Sequence, residues 1–307
     1  MTIHAVLGAN GITGRETITA LRARGETVWA LARSVRESAG ATSVAADLRD
    51  AASAMNALRG ADVVYLTVGL PYSTKVWRRD WPLIMQNTIE ACLAHGARLV
   101  YLDNVYPYGV TDAPMTESTP IRPSSRKGAV RASLLRALDA ATRQRGLDVT
   151  IGRSADFYGP GASTSVFNVL AIDKVAAGKS PVWLFDAHQP HSMTYTPDIG
   201  AALAVLGTDE RARRQVWHLP TGPALTGADY LELLTEGGLH PKAMSATALR
   251  LGALFLAEVR ETLEMAYQYT APYVFDSSAF EATFGMAPTP YRDGIAAALG
   301  RAGVAAR

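Results

Sequence analysis

Three glycines near the start of the chain have the spacing that phosphate chemistry needs. Gly8-Ala9-Asn10-Gly11-Ile12-Thr13-Gly14 follows the apolar run Thr2-Ile3-His4-Ala5-Val6-Leu7 and precedes an amphipathic pattern from about Ile12 to Arg24 that Gly25 ends. Gly8 permits a tight turn, Gly11 lets backbone approach a pyrophosphate with no Cβ in the way, and Gly14 lets the helix pack close to the strand. The helix N-terminus adds unpaired N–H groups and partial positive charge. Asn10, Ile12 and Thr13 lie within this loop and count with the glycines as cofactor-binding positions.

The end of the second strand, Thr27-Val28-Trp29-Ala30-Leu31-Ala32, selects the cofactor. An acid here would accept hydrogen bonds from a ribose 2′-hydroxyl. The chain has Arg33-Ser34-Val35-Arg36 instead, and Arg33 suits a 2′-phosphate, so NADP is expected. Asp47, followed by Leu48, stands where a carboxylate could receive an adenine amino group. Val68 ends a fourth strand over 61–69 and leads into a loop close to the cofactor.

The elements that must position these residues alternate. Strands over 2–7, 27–32, 42–46, 61–69, 98–102 and 147–152 are separated by helices over about 12–24, 50–58, 82–95 and 124–145. This order means an α/β fold with a doubly wound parallel Rossmann sheet, its ligand at the carboxyl ends of the strands. A helix over 163–177, a hairpin within 181–196, a helix over 198–206, a strand over 215–219 and a strongly helical stretch over 226–266 follow. The expected division is 1–155 with 193–220 as the dinucleotide domain, and 156–192 with 221–307 as a smaller, mostly helical substrate lobe.

Composition narrows the function classes. With 30 Lys and Arg against 28 Asp and Glu, the net charge of +2 argues against bulk nucleic-acid binding. No apolar run is long enough to span a bilayer, and the single cysteine, Cys92, fits buried packing in a reducing cytosol. A cytoplasmic protein is expected, with a small-molecule substrate and a homodimeric state. His188 or His191 reads as a substrate contact, and neither as a metal ligand, because no convincing ligand set surrounds them. Glu261 and Glu264 read as a solvated helix face.

Several motifs in order carry a resemblance: the three glycines, Asn87 in a helix, Tyr108-Gly109, Thr116-Glu117-x-x-Pro120, Arg153-x-x-x-Phe157-Tyr158-Gly159-Pro160-Gly161, Tyr273-Val274-Phe275-Asp276-Ser277 and Pro288-x-Pro290. Together they resemble the extended short-chain dehydrogenase/reductases, the NAD-dependent epimerase/dehydratase group, over nearly the whole chain. The resemblance implies a Ser, a Tyr and a Lys in the site, and this sequence departs from all three. Asn104 stands at the serine position, Lys127 at the tyrosine position and Arg131 at the lysine position. Arg131 can anchor a ribose hydroxyl but essentially never releases a proton. Lys127, with a cation at i+4 and a cationic nicotinamide nearby, is expected to favour its neutral form and to act as proton donor or shuttle. Asn104 can donate its amide N–H to a carbonyl or enolate oxygen. Tyr106 is the candidate for a relocated acid. The leading expectation is an NADP(H)-dependent oxidoreductase acting on a small carbonyl or enone. The alternatives are a non-catalytic NADP(H)-binding regulator and a sugar-nucleotide epimerase or dehydratase.

Overall fold

The computed structural model describes residues 1–34, 40–235, 242–244 and 261–305. Strands β1 (Ile3–Leu7), β2 (Thr27–Ala32), β3 (Thr42–Ala45), β4 (Val63–Leu66), β5 (Arg98–Asn104) and β6 (Val149–Ser154) alternate with helices α1 (Ile12–Ala23), α2 (Ala51–Ala57), α3 (Thr74–His95) and α4 (Arg126–Arg145). Then come β7 (Asp156–Tyr158), a π-helical stretch over Asn168–Ile172 that runs into α5 (Asp173–Ala176), β8 (Val182–Leu184), β9 (Pro190–His191), β10 (Met193–Tyr195), α6 (Thr196–Thr208) and β11 (Val216–His218). The later described elements are β12 (Leu225–Thr226), α7 (Gly227–Thr235), β13 (Lys242–Met244) and helices Tyr267–Thr270, Ser278–Phe284 and Tyr291–Ala305.

The main sheet has seven strands in the order β11-β6-β5-β4-β1-β2-β3, every pair parallel. Strand order reverses between β1 and β4, which is where an open α/β sheet leaves a crevice for a ligand. Both faces are covered, so β4 is buried at every position. One apolar layer holds Trp77, Trp81, Ile84 and Leu134 under α3 and α4; the other holds Ile18, Leu21, Ile199 and Leu203 under α1 and α6. The doubly wound sheet expected from the alternation is therefore present. Among the described residues no helix is long and apolar enough to cross a membrane.

Three element readings are corrected. The helix expected to begin near Pro82 begins at Thr74 and runs through Pro82 without interruption. The aromatic segment is its first two turns, with Trp77 and Trp81 buried one turn apart. Residues 181–196 form no hairpin: β8 pairs with β13, β9 with β12, and β10 with β7. The helix expected over 163–177 is π-helical over Asn168–Ile172, where the Asn168 amide bonds both Gly159 N (3.1 Å) and Gly159 O (2.8 Å). Of the helical stretch expected over 226–266, α7 is helical and β13 is a strand; Leu249, Leu251, Leu254, Phe255 and Val259 lie outside the described residues.

Candidate active site

The cradle is built from backbone. Gly8 has φ +88°, in the left-handed region, and a Cβ there would lie 2.8 Å from Val68 Cα, so β1 and β4 close on it from either side. The N–H groups of Gly8 and Ala9 both donate to Leu31 O, at 3.0 and 3.1 Å, and Gly11 N–H donates to Gly8 O at 2.9 Å. A Cβ on Gly14 would overlap the Gly8 carbonyl oxygen. Gly11 is the N-cap of α1, with no side-chain cap and no acid in the first turn, so among the described residues no side chain caps the place an anion would fill. The residues present therefore fit a dinucleotide's pyrophosphate.

The other predicted cofactor positions surround this turn. The Asn10 amide donates to Ser34 O (3.1 Å), tying the glycine loop to the end of β2, and Thr13 is buried with its carbonyl accepting from Thr17 Oγ1 (2.7 Å). Ile12 opens α1 beside them. Arg33 is exposed at the end of β2. Asp47 is held by Arg49 (Nε–Oδ1 3.0 Å, Nη2–Oδ2 2.6 Å), and the Arg49 hydrogen bonds hold its carboxyl down at about 2. Leu48 is buried, and its carbonyl accepts from Asn87 Nδ2 at 2.8 Å.

At the other end of the crevice the buried cations Lys127, Arg131 and Arg153 each already have a carboxylate partner. Lys127 sits in the first turn of α4 and is fully buried. Its Nζ pairs with Glu261, lies 3.3 Å from Glu264 Oε2 and stands 4.4 Å over the Tyr72 ring. The two carboxylates also close two helix ends: Glu261 Oε1 accepts from Thr74 N (3.0 Å) at the start of α3, and Glu264 Oε1 from Lys127 N (3.0 Å) at the start of α4. The Thr74 hydroxyl bridges them, 2.7 Å from Glu261 and 3.2 Å from Glu264. Burial works to raise the Glu261 carboxyl, but hydrogen bonds from Lys127 and Thr74 outweigh it and hold it below the usual carboxylate range. Reading Glu261 and Glu264 as a solvated face is thus corrected: they face the interior and meet Lys127.

The cation expected to press on Lys127 points elsewhere. Arg131 is buried between the rings of Trp81 and Tyr101, 4.7 and 5.0 Å from their centroids. Its Nε donates to Asp103 Oδ1 (2.9 Å) and its Nη2 to Leu102 O (3.0 Å). Asp103 Oδ2 accepts from Arg153 Nε at 3.1 Å across the β5–β6 register, so one buried carboxylate holds two buried guanidinium groups. Arg153 continues the network to Tyr108 Oη, which lies 2.7 Å from His218 Nε2. His218 Nδ1 is 2.7 Å from Asp276 O, so Nδ1 carries the proton, and the single phenol proton of Tyr108 is shared between His218 Nε2 and Thr116 O, 2.9 Å away. Burial, then the charge of Arg153, lowers His218 to about 3.

Asn104 ends β5 with Oδ1 accepting from Tyr106 N (3.1 Å). The Tyr106 hydroxyl is 3.3 Å from that of Tyr72, its ring stacks on Trp77, and burial with Tyr72 alongside raises its phenol well above the ordinary value. A Cβ on Gly128 would meet Tyr106 O at 2.5 Å, so this loop lies directly against the first turn of α4. His191 is buried between the rings of Tyr269 and Tyr273 and contacts Asp156 Oδ2 at 3.1 Å; His188 is exposed. Cys92 is buried, and burial pushes its thiol up to about 12. The structure thus brings Asn104, Tyr106 and Lys127 together and turns Arg131 inward. Sequence reasoning missed Glu261, Glu264, Thr74 and Asp103 as partners; the one visible signal was two acids one helical turn apart.

A model of the NAD dependent epimerase/dehydratase family matches residues 4–217. Among curated proteins, the 3beta-hydroxysteroid-dehydrogenase/decarboxylase isoform 2 of Arabidopsis thaliana is 22% identical over 291 residues, covering 82% of this chain and 50% of that protein. The chain therefore spans about half the length of the curated relative it matches. Among solved structures, MoeE5 in complex with UDP-glucose and NAD superposes with a TM-score of 0.80 at 21% identity, over 100% of both chains. A double mutant of the dTDP-glucose 4,6-dehydratase DesIV from Streptomyces venezuelae, with NAD and DAU bound, gives 0.77 at 19% identity, over 98% of this chain and 96% of that one.

Proposed function

The chain belongs to the NAD-dependent epimerase/dehydratase family, and from that premise we propose that it binds a nicotinamide dinucleotide along the Gly8–Gly14 cradle and moves hydride at a carbinol or carbonyl carbon of a sugar nucleotide. The observation that carries this reading is the turn at Gly8, closed by Val68 and Leu31 so that only a side-chain-free backbone faces the open N-terminus of α1. Arg33 at the end of β2, with no acid there, supports NADP(H); the solved relatives named above carry NAD. A sugar-nucleotide substrate is favoured over a small carbonyl or enone by the family and by what those relatives hold.

Bound there, the nicotinamide supplies the hydride acceptor or donor. The chain's own residues supply the rest. In the reducing direction the Lys127 ammonium gives a proton to the developing alkoxide, and Glu261, 22% exposed, returns one from solvent. The Asn104 amide donates to the same oxygen, and Arg131, turned inward onto Asp103 and Leu102 O, ties the start of α4 to β5 behind Lys127. Tyr106 is a second proton source on the same loop.

A second reading, a non-catalytic dinucleotide-binding regulator, is favoured by one observation: two carboxylates already saturate Lys127 at the position of the family's tyrosine. Fluorescence titration with NADPH and NADH tests the cofactor, and tighter NADH binding removes the Arg33 argument. Turnover is measured with UDP- and dTDP-sugars beside aldehydes, ketones and enones, in wild type and Lys127→Ala. Sugar-nucleotide turnover lost in Lys127→Ala supports the proposal. Tight cofactor binding with no turnover of any substrate supports the regulator.

A further inference from the structure

A cleft of about 530 Å³ opens beside the Lys127 cluster, lined by Thr74, Lys75, Arg78, Arg79, Arg126 and Glu261. Four of the six lining residues are cations. Arg79 is engaged by Asp80, at 2.6 and 2.9 Å. Among the described residues, Lys75, Arg78 and Arg126 have no carboxylate within ion-pair distance. Lys75 and Arg126 come from the first turns of α3 and α4, where helix N–H groups favour negative charge, and Arg78 from the second turn of α3.

An anion already rests at the inner wall of this cleft. The Glu261 carboxylate takes hydrogen bonds from Thr74 N, Thr74 Oγ1 and Lys127 Nζ. These are a helix-terminal amide, a hydroxyl and a buried ammonium, the donor set that holds a phosphate oxygen. Among the described residues Glu261 is the one lining group of opposite charge, and it arrives from a segment far along the chain.

We propose that the cleft is a phosphate-binding site separate from the glycine cradle, with Glu261 as its intramolecular occupant. A phosphate group exchanges for Glu261 on Thr74 and Lys127, and Arg78 and Arg126 neutralise its remaining charge. The ligand class is a phosphate monoester or a diphosphate, whether the end of a nucleotide or a free inorganic ion. The inference goes beyond hydride transfer but shares Lys127 and Glu261 with it, so phosphate on Lys127 and proton return through Glu261 exclude each other, and the titration reads binding alone.

The test is calorimetric titration of inorganic pyrophosphate into wild type, Glu261→Gln and Glu261→Gln/Arg78→Gln/Arg126→Gln. None of these changes touches the glycine cradle, so any binding there is common to all three and the differences report the cleft. Removing the resident carboxylate raises affinity about tenfold, the scale of one charge-assisted hydrogen bond no longer in competition. The triple variant falls back below wild type. Equal affinities in all three overturn the proposal, as does a gain in Glu261→Gln that survives loss of both arginines. If Glu261→Gln does not fold, Arg78→Gln/Arg126→Gln in the wild-type background must weaken binding at least fivefold, and unchanged binding overturns the site. UDP titrated alongside assigns the source: tighter UDP means a nucleotide, tighter pyrophosphate a free ion, and each supports the site. NADPH binding retained while all these titrations fail would sink the cleft and leave the hydride-transfer reading untouched.

Discussion

The two ends of the crevice solve opposite problems. At the β1–α1 turn the donors are backbone N–H groups, held by glycines and left without side-chain partners. At the β5–α4 end the functional groups are charged side chains, and Lys127, Arg131 and Arg153 are each buried on a carboxylate. The first end is prepared for an outside anion; the second has answered its charges internally. A buried ion pair is weak evidence of stability but strongly resists losing one partner, so the second end is rigid in composition while the first is rigid in backbone.

The sharpest way to break this comparison is Gly11→Val. Among the described residues a Cβ at Gly11 meets Gly8 O at 3.2 Å, a tight contact that the loop relieves by a small shift, and the side chain stands in the path of the pyrophosphate. Dinucleotide affinity should fall at least ~100-fold with far-UV dichroism retained, whereas Gly14→Val should lose structure as well because its Cβ overlaps Gly8. Binding that survives Gly11→Val would remove the cradle from the argument.

Next in size is Asp103→Asn. It leaves Arg131 and Arg153 buried without a counter-charge, and chemical denaturation should show a loss of about 3–5 kcal/mol. A loss under ~1 kcal/mol would mean the triad does not hold β5, β6 and α4 together.

A smaller effect is read from pH. His218 has its folded value lowered to about 3, so below pH 6.5 the unfolded chain takes up a proton that the folded chain refuses. Its contribution is complete above 6.5 and erodes as pH falls towards 3, by up to about 1.4 kcal/mol per unit. Melting curves of wild type should slope more steeply across this window than those of His218→Gln. At the bottom of the scale, Arg49→Ala breaks an exposed pair with Asp47 and should leave the melting midpoint unchanged.

The same contrast explains what could be read from the sequence. The glycine cradle and the parallel sheet are legible because their signals are local: Gly8, Gly11 and Gly14 lie within seven residues, and each strand announces itself by its own apolar run. The reaction end is assembled from Thr74, Asp103, Lys127, Arg153, Glu261 and Glu264, and no spacing rule connects residue 127 to residue 261. Lys127 and Arg131 sit one turn apart on α4, and their shared face suggested mutual repulsion. Tertiary partners on β5 and on the 261–264 segment separate them. Pro82 misled for a related reason: it resembles a helix start, but burial of Trp77 and Trp81 carries α3 back to Thr74.

The Asp103 carboxylate also limits how this scaffold could be retrofitted. Replacing Lys127 by Tyr and Arg131 by Lys would strand Glu261 and Glu264 without their shared cation. It would also offer Asp103 a flexible point charge in place of a planar fork wedged between two aromatic rings. A change at 127 or 131 therefore draws in 103, 261 and 264, and any redesign of this end has to treat the five positions as one unit.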